Sequence, residues 1–188
     1  MSGYVRIIGG KWRGKKLPVV AVPGLRPTPD RVRETVFNWL APYIVDAHCL
    51  DLFAGSGAFG LEALSRGASL VTMIDADSKV VNTLKTQIHA WQVEAQVSLR
   101  QAILPAALAT LAPAFNIVFI DPPYDAELLL PTCRALEASN LLADTSYIYL
   151  EASASIEDLQ LPPHWTICKA KKAGMVMYYL VKREKQHD

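Results

Sequence analysis

Cysteine is scarce in this chain: three in 188 residues, at positions 49, 133 and 168. They are too few, too far apart and odd in number, which excludes a disulfide framework and a cysteine-based zinc site. His48, His89, His164 and His187 are equally dispersed, so all seven read as structural or surface residues and no metal is expected. No apolar run approaches the roughly 18 residues of a membrane span, and the first residues lack a signal-peptide core, so the expected location is cytoplasmic, away from any membrane. Internal repeats and low-complexity tracts are absent too. No sign of charge is in excess, with 19 Lys and Arg against 18 Asp and Glu. What is plentiful is apolar side chain, 51% of the residues, enough to exclude a disordered body. The length suits one domain with a small appendage and a sizeable core.

The near-neutral total hides an uneven distribution. From Arg6 to Arg33 there are eight basic residues and one acid, Asp30; from His164 onward six basic residues face Glu184 and Asp188. Two basic ends around an acidic middle suggest a polyanion held by the ends and a small molecule held by the middle. Two solvated surfaces would give the same pattern.

The chain is organised around Cys49-Leu50-Asp51-Leu52-Phe53-Ala54-Gly55-Ser56-Gly57-Ala58-Phe59-Gly60. An apolar strand runs into Gly-x-Gly-x-x-Gly, and a helical pattern follows. The glycines allow a tight turn and close approach of a ligand to the backbone, beside the free N–H groups of a helix start. Asp51 makes the signal more specific. A carboxylate at that strand end repels a dinucleotide diphosphate, which disfavours a nicotinamide oxidoreductase, and attracts a ligand with an ammonium group and no phosphate. S-adenosylmethionine is such a ligand.

In chain order, residues 4–20 read as a hairpin turning at Gly9-Gly10. Trp12, among Lys11, Arg13, Lys15 and Lys16, either stacks on a base while its neighbours hold phosphates or packs the hairpin onto the core. The proline-rich stretch 18–29 is a loop. Thr28-Pro29-Asp30 then opens a helix with Thr28 as N-cap and Val32, Val36, Trp39 and Leu40 as its apolar face. Arg26, Arg31 and Arg33 cluster at its start.

Strands and helices alternate from there. Strands are expected at Cys49–Phe53, Leu70–Asp75, Gln96–Leu99, Ile117–Asp121, Tyr147–Glu151, Trp165–Ala170 and Met175–Lys182. Helices are expected at Gly57–Arg66, Ser78–Trp91, Pro105–Leu111 and Ala126–Ser139. Such alternation gives a parallel sheet covered on both faces.

Asp75 ends the second of these strands, where an acid hydrogen-bonds the ribose of an adenosine ligand. Capping the next helix is its alternative role, one that Asp77 or Ser78 also fits. Asp121-Pro122-Pro123-Tyr124 follows the fourth strand, beside the first in a 3-2-1-4 order, so its loop faces the glycine loop. Two prolines leave carbonyl acceptors pointing outward, Asp121 adds a charged acceptor, and Tyr124 adds a flat face. Acceptors and an aromatic face opposite a methyl donor suit an exocyclic amine on a flipped base. A proline-rich turn with Asp121 as a helix cap is the plainer reading.

Asp121-Pro122-Pro123-Tyr124 resembles the (Asp/Asn)-Pro-Pro-(Tyr/Phe) signature of class I S-adenosylmethionine-dependent methyltransferases acting on exocyclic amines, and Asp51–Gly57 resembles their cofactor loop. Residues 6–17 and 26–40 are similar to those of the bacterial 16S rRNA (guanine-N2)-methyltransferase family, the small-subunit rRNA methyltransferase D type. The similarity covers nearly the whole chain. It implies a Rossmann-like α/β fold: a seven-stranded, mostly parallel sheet with an antiparallel last strand, helices on both faces, and an N-terminal hairpin extension (1–25) before the methyltransferase domain (26–188). By the same resemblance, Asp51, Ala54, Gly55 and Gly57 hold the methionine and ribose parts of the cofactor. Asp75 and Ala76 hold the ribose, and Asp121, Pro122 and Tyr124 form the amine site. Lys11, Trp12, Arg13, Lys15, Lys16 and Arg31 are the expected RNA contacts. The substrate implied is an assembled or assembling small ribosomal subunit, met by a monomer. One position departs: related enzymes carry an acid near the end of the third strand for the adenine amino group, where this chain has Arg100-Gln101-Ala102. The carbonyl of Gln101 accepts the same hydrogen bond without charge.

The chemistry needs little beyond positioning, because the guanine amine is a poor nucleophile and the sulfonium a strong methyl donor. Three rivals remain at this level. An adenine-N6 DNA methyltransferase generally needs a recognition domain that this chain lacks room for. A glutamine methyltransferase resembles Asn-Pro-Pro-Tyr enzymes. A non-catalytic assembly factor would have no use for Asp121 and Gly55.

Overall fold

The structure, a computed structural model, describes residues 3–21, 27–112, 114–123, 127–152 and 160–185. The chain opens with two short antiparallel strands, β1 (Tyr4–Arg6) and β2 (Lys16–Pro18), and then α1 (Asp30–Leu40). The body follows as β3 (His48–Asp51), α2 (Ala58–Ser65), β4 (Leu70–Asp75), α3 (Ser78–Ala90), β5 (Val97–Gln101), β6 (Phe115–Ile120), α4 (Leu129–Ala138), β7 (Leu142–Ala152), β8 (Trp165–Ala173) and β9 (Val176–Glu184). Seven of these strands form one sheet in the order β5-β4-β3-β6-β7-β9-β8. The first five in that order are parallel, and β9 enters antiparallel between β7 and β8. This is the Rossmann-like sheet that the resemblance implies.

Period-two alternation decides which layer each side chain joins. Cys49, Ile117, Phe119, Tyr149, Tyr178 and Leu180 pack on one side, with the apolar faces of α1, α2 and α3. Their strand neighbours Leu50, Val118, Ile120, Ile148, Leu150, Tyr179 and Val181 pack on the other, with α4 and a 3₁₀ turn at Ala106–Thr110. All eight residues of α2 are buried. The sheet lies under it, and the N-terminal hairpin closes over its far end: Val5, Ile7 and Leu17 belong to the same core as Phe59 and Leu61.

The elements depart from the sequence expectation in four places. The hairpin does not turn at Gly9-Gly10. Its strands are three residues each, and a 3₁₀ turn at Gly10–Trp12 fills a broad connection. Gly10 is needed there, because a Cβ on it would lie 1.9 Å from the Ser65 carbonyl oxygen and its φ is +74°. Second, Pro29, not Thr28, is the N-cap of α1, and no side chain caps that helix. Third, Ala106–Thr110 makes a 3₁₀ turn in place of a helix over 105–111. Fourth, α4 begins at Leu129, three residues beyond the expected start; residue 126 lies outside the described residues.

Among the described residues no helix is long and apolar enough to cross a membrane.

Candidate active site

The loops after β3, β4, β5 and β6 leave from the same edge of the sheet and enclose a cleft of about 270 Å³. The glycine loop forms its floor. Gly57 sits at φ +75°, and a Cβ there would come within 2.6 Å of Leu84 of α3, so the loop can pack this tightly only with glycine. Gly57 N–H donates to the Ala54 carbonyl (2.7 Å), and Ala54 N–H to the Ile74 carbonyl of β4 (2.9 Å).

Asp75 ties two loops together. Its Oδ2 accepts from Gly55 N–H and its Oδ1 from Asp77 N–H, each at 2.9 Å. Asp77 takes the capping role for α3, accepting from Lys79 N–H at 2.7 Å and Val80 N–H at 3.3 Å. That leaves Asp75 facing the cleft.

Asp51 lies beneath the floor. Only 2% exposed, it accepts from Gly60 N–H at 3.0 Å and so satisfies a free amide of the first turn of α2. Burial, with the charge of Asp75 adding to it, pushes its carboxyl up to about 7.

Asp121 follows β6 on the far wall, next to Pro122 and Pro123. Its Oδ2 accepts from the Thr28 hydroxyl at 2.7 Å. Ile120 pairs with Leu150 of β7, so the next residues in register are Asp121 and Glu151. The Glu151 carboxyl, 8% exposed, lies beside Asp121 in the sheet and accepts from the Tyr149 hydroxyl at 2.8 Å. Burial first, and the Glu151 charge second, hold the Asp121 carboxyl well above the ordinary carboxylate range.

Of the residues expected to hold the cofactor, Ala54, Gly55, Asp75 and Ala76 line the cleft, and Asp51 and Gly57 shape the loop from behind. Gln101 lies at the rim: it pairs with Asp75 in the sheet, and its Nε2 donates to the Ala76 carbonyl at 3.4 Å. Asp121 and Pro122 line the opposite wall, while Tyr124 lies outside the described residues.

The expected RNA contacts divide. α2 runs back from the cleft, so its last residues lie at the opposite edge of the sheet. Trp12 sits there, its backbone N–H donating to Ser65 Oγ at 3.0 Å and its ring 5.0 Å from that of Trp91, which follows α3. Lys11 and Lys15 lie over these rings, and Arg13 is exposed beside them. Lys16, Arg6 and Arg31 are exposed nearer the start of α1. Arg26 lies outside the described residues. Arg33 is not a surface residue: it is fully buried, donating to the Arg6 carbonyl (3.0 Å), Asp30 (2.6 Å) and the Thr28 carbonyl (3.4 Å).

Sequence reasoning missed three residues of the site. Thr28 reads as a helix cap. Glu151 reads as the end of a strand, and only its register beside Asp121 reveals it. Ile103, 74% exposed, gives the cleft an apolar wall that no motif marks.

Asp75, Asp77 and Asp121 line the cleft, and no basic side chain lines it among the described residues. A site of this charge fits a cationic ligand and opposes a diphosphate. Glycine loop, ribose-type acid and acid-only walls together fit S-adenosylmethionine.

Comparison with known proteins agrees. The family model "Conserved hypothetical protein 95" matches residues 5–182. The chain is 50% identical over 188 residues to ribosomal RNA small subunit methyltransferase D of Escherichia coli K12, covering all of this chain and 94% of that one. It is 43% identical over 184 residues to the protein of that name from Haemophilus influenzae, covering 95% and 94%. The solved yhhF structure from Escherichia coli superposes with a TM-score of 0.88 at 48% identity, covering 98% of this chain and 100% of that one. A structure solved in complex with SAH shares the fold at 15% identity, with a TM-score of 0.72 over 96% of this chain and 56% of that one. Matched over nearly its whole length, the chain belongs to the conserved hypothetical protein 95 family and to the small-subunit rRNA methyltransferase D type within it.

Proposed function

We propose that this protein methylates the exocyclic N2 of a guanine in 16S rRNA, using S-adenosylmethionine and acting on assembled or assembling small ribosomal subunits. The observation that carries the reading is the placement of Asp121 across one cleft from Gly55, with only acidic charge lining it among the described residues. The bound cofactor supplies an electrophilic methyl group. Asp75 and Ala76 hold its ribose, Ala54, Gly55 and Gly57 its methionine part, and Gln101 and Ile103 border its adenine. Asp51 acts from beneath by fixing the start of α2.

On the other wall, Asp121 and the Pro122 carbonyl accept the amine hydrogens and orient the nitrogen lone pair. Tyr124 stacks on the extruded guanine, worth about 1–3 kcal/mol. The Thr28 hydroxyl holds Asp121 in that orientation. Residues 1–25 act as an RNA-contacting extension of the domain formed by 26–188. Lys16 and Arg31 meet phosphates near the cleft; Lys11, Arg13 and Lys15, with Trp12 as their packed support, meet RNA farther along. The protein works as a cytoplasmic monomer without a metal.

Incubation with labelled cofactor and small subunits lacking the modification, then mapping of the methyl group by mass spectrometry, tests this. The expected product is one N2-methylguanine. No incorporation, or label on adenine or on protein, overturns the assignment.

A further inference from the structure

We propose that Asp121 and Glu151 work as one two-carboxyl unit, which holds a single proton before the reaction and takes up the proton that the substrate amine sheds. The proposal rests on the reading that Asp121 faces the amine.

The unit is built by the sheet. β6 and β7 are parallel neighbours with Ile120 opposite Leu150, so the residues that follow, Asp121 and Glu151, leave the same edge side by side. Asp121 shares a face with Phe119 and Glu151 with Tyr149, and both those rings lie in the core beneath α1 and α2. The two carboxyls therefore point to the same side. Each has a fixed outer partner: Thr28 donates to Asp121 Oδ2 at 2.7 Å, and Tyr149 donates to Glu151 Oε2 at 2.8 Å. Between them the two acids stand side by side on one face of the sheet, and the charge of Glu151 acts directly on Asp121. Two neighbouring buried carboxylates repel, and neither has a hydrogen to give the other. One proton in the pair relieves both.

The surroundings keep that proton in place. Asp51, at the end of β3, adds negative charge. Tyr178 of β9 lies opposite Glu151 in the sheet. Among the described residues, the basic group Arg33 joins this network through the Thr28 carbonyl. A doubly charged pair in this setting is unfavourable; a singly charged one still matches a cationic ligand across the cleft.

The balance is simple. Once the amine nitrogen has gained a bond to carbon, it carries one proton too many. An N–H bond breaks, its electron pair stays on nitrogen, and the proton passes to a carboxylate oxygen of Asp121. The unit goes from one negative charge to none and loses a proton to water after product departs. Glu151 need not touch the substrate. It is a positioning residue that sets the protonation of Asp121.

The test uses carbon-13 NMR of the side-chain carboxyls in the ligand-free full chain, titrated with pH, for wild type, Glu151→Gln and Tyr149→Phe. Wild type should show Asp121 and Glu151 titrating in two linked steps. Glu151→Gln should lower the Asp121 midpoint by at least one pH unit, because it removes the neighbouring charge. Tyr149→Phe removes only the hydroxyl that donates to Glu151, should move the Asp121 midpoint as well, and serves if the first variant folds poorly. In single-turnover methyl transfer, Glu151→Gln should be about 10²-fold slower with a displaced pH profile and an unchanged cofactor affinity. An Asp121 midpoint that does not move in Glu151→Gln overturns the unit, and so does an unaltered pH profile. Since the titration needs neither cofactor nor RNA, linked carboxyls in a protein that fails to methylate subunits would sink the substrate assignment and leave the unit standing.

Discussion

The hydroxyl of Thr28 donates to Oδ2 of Asp121 at 2.7 Å, joining residues 93 positions apart in the sequence. It brings the segment before α1 over the cleft and fixes one oxygen of the carboxyl that faces the proposed substrate. Thr28→Val keeps the shape and removes the donor. The expected result is a 10- to 100-fold fall in kcat with cofactor affinity unchanged, and a stability loss of about 1 kcal/mol, that of one ordinary hydrogen bond. Steady-state kinetics beside a denaturant titration separate the two effects. A loss confined to stability would mean that Thr28 only closes the fold.

Asp75 is expected to matter twice over, through the ribose and through the loops. It accepts backbone N–H groups from Gly55 and from Asp77, so Asp75→Ala frees both loops besides removing a ligand contact. Calorimetry should show cofactor binding weakened by roughly 100-fold or more, the equivalent of about 3 kcal/mol. Asp75→Asn retains one acceptor and should fall between the two.

Asp51 makes stability depend on pH. Its carboxyl is pushed up to about 7 in the folded protein from an ordinary value near 4, so the folded state binds the proton more tightly than the unfolded state. The contribution is full below about pH 4 and is lost as pH rises through the window from 4 to 7, at up to about 1.4 kcal/mol per pH unit. Urea titrations at pH 5 and pH 8 should give a lower stability at pH 8, and Asp51→Asn should remove part of that difference. The carboxyl of Asp121 works in the same direction, so a double variant with Asp121→Asn should be flatter still.

What the sequence made legible was local. The glycine loop, the strand–helix alternation and the acids at strand ends are written in contiguous residues, and the 3-2-1-4 order is that of a doubly wound sheet. Asp75 and Asp121 could thus be set on one cleft from spacing alone. Thr28 could not. A threonine before Pro-Asp has the chemistry of an N-cap, and only the tertiary fold offers it Asp121. Glu151 was hidden for a related reason: it sits on its strand like any terminal residue until the β6–β7 register is known. The basic hairpin misleads differently. Its lysines look like one RNA-facing cluster, yet α2 carries Trp12 and its neighbours to the edge opposite the cleft, leaving Lys16 and Arg31 nearer the start of α1. Arg33 reads as surface charge and is buried, because Glu62, a helix residue 29 positions on, lies 3.6 Å away to receive it.

Glu62 supplies the last prediction, because it anchors the hairpin to the methyltransferase fold. Its carboxyl is fully buried and takes Ile8 N–H at 2.7 Å, Gly9 N–H at 2.8 Å and Arg66 Nε at 2.7 Å, with Arg33 Nη1 at 3.6 Å. Glu62→Ala strips three donors of their acceptor and takes a buried carboxylate away from the buried Arg33 charge. Removing one side of a buried pair costs about 3–5 kcal/mol, which for a chain of this size lowers Tm by roughly 6–20 °C. Arg6→Ala is the control. Its bridge to Asp30 is made by a side chain that is 69% exposed, and its loss should cost under about 1 kcal/mol. The damage from Glu62→Ala should also travel: Arg33 holds the Thr28 carbonyl, and Thr28 holds Asp121. Amide hydrogen exchange should therefore quicken at Ile8 and Gly9 and also around Thr28, while Arg6→Ala leaves Thr28 protected. Fast exchange confined to the hairpin would show that it is anchored independently of the active site.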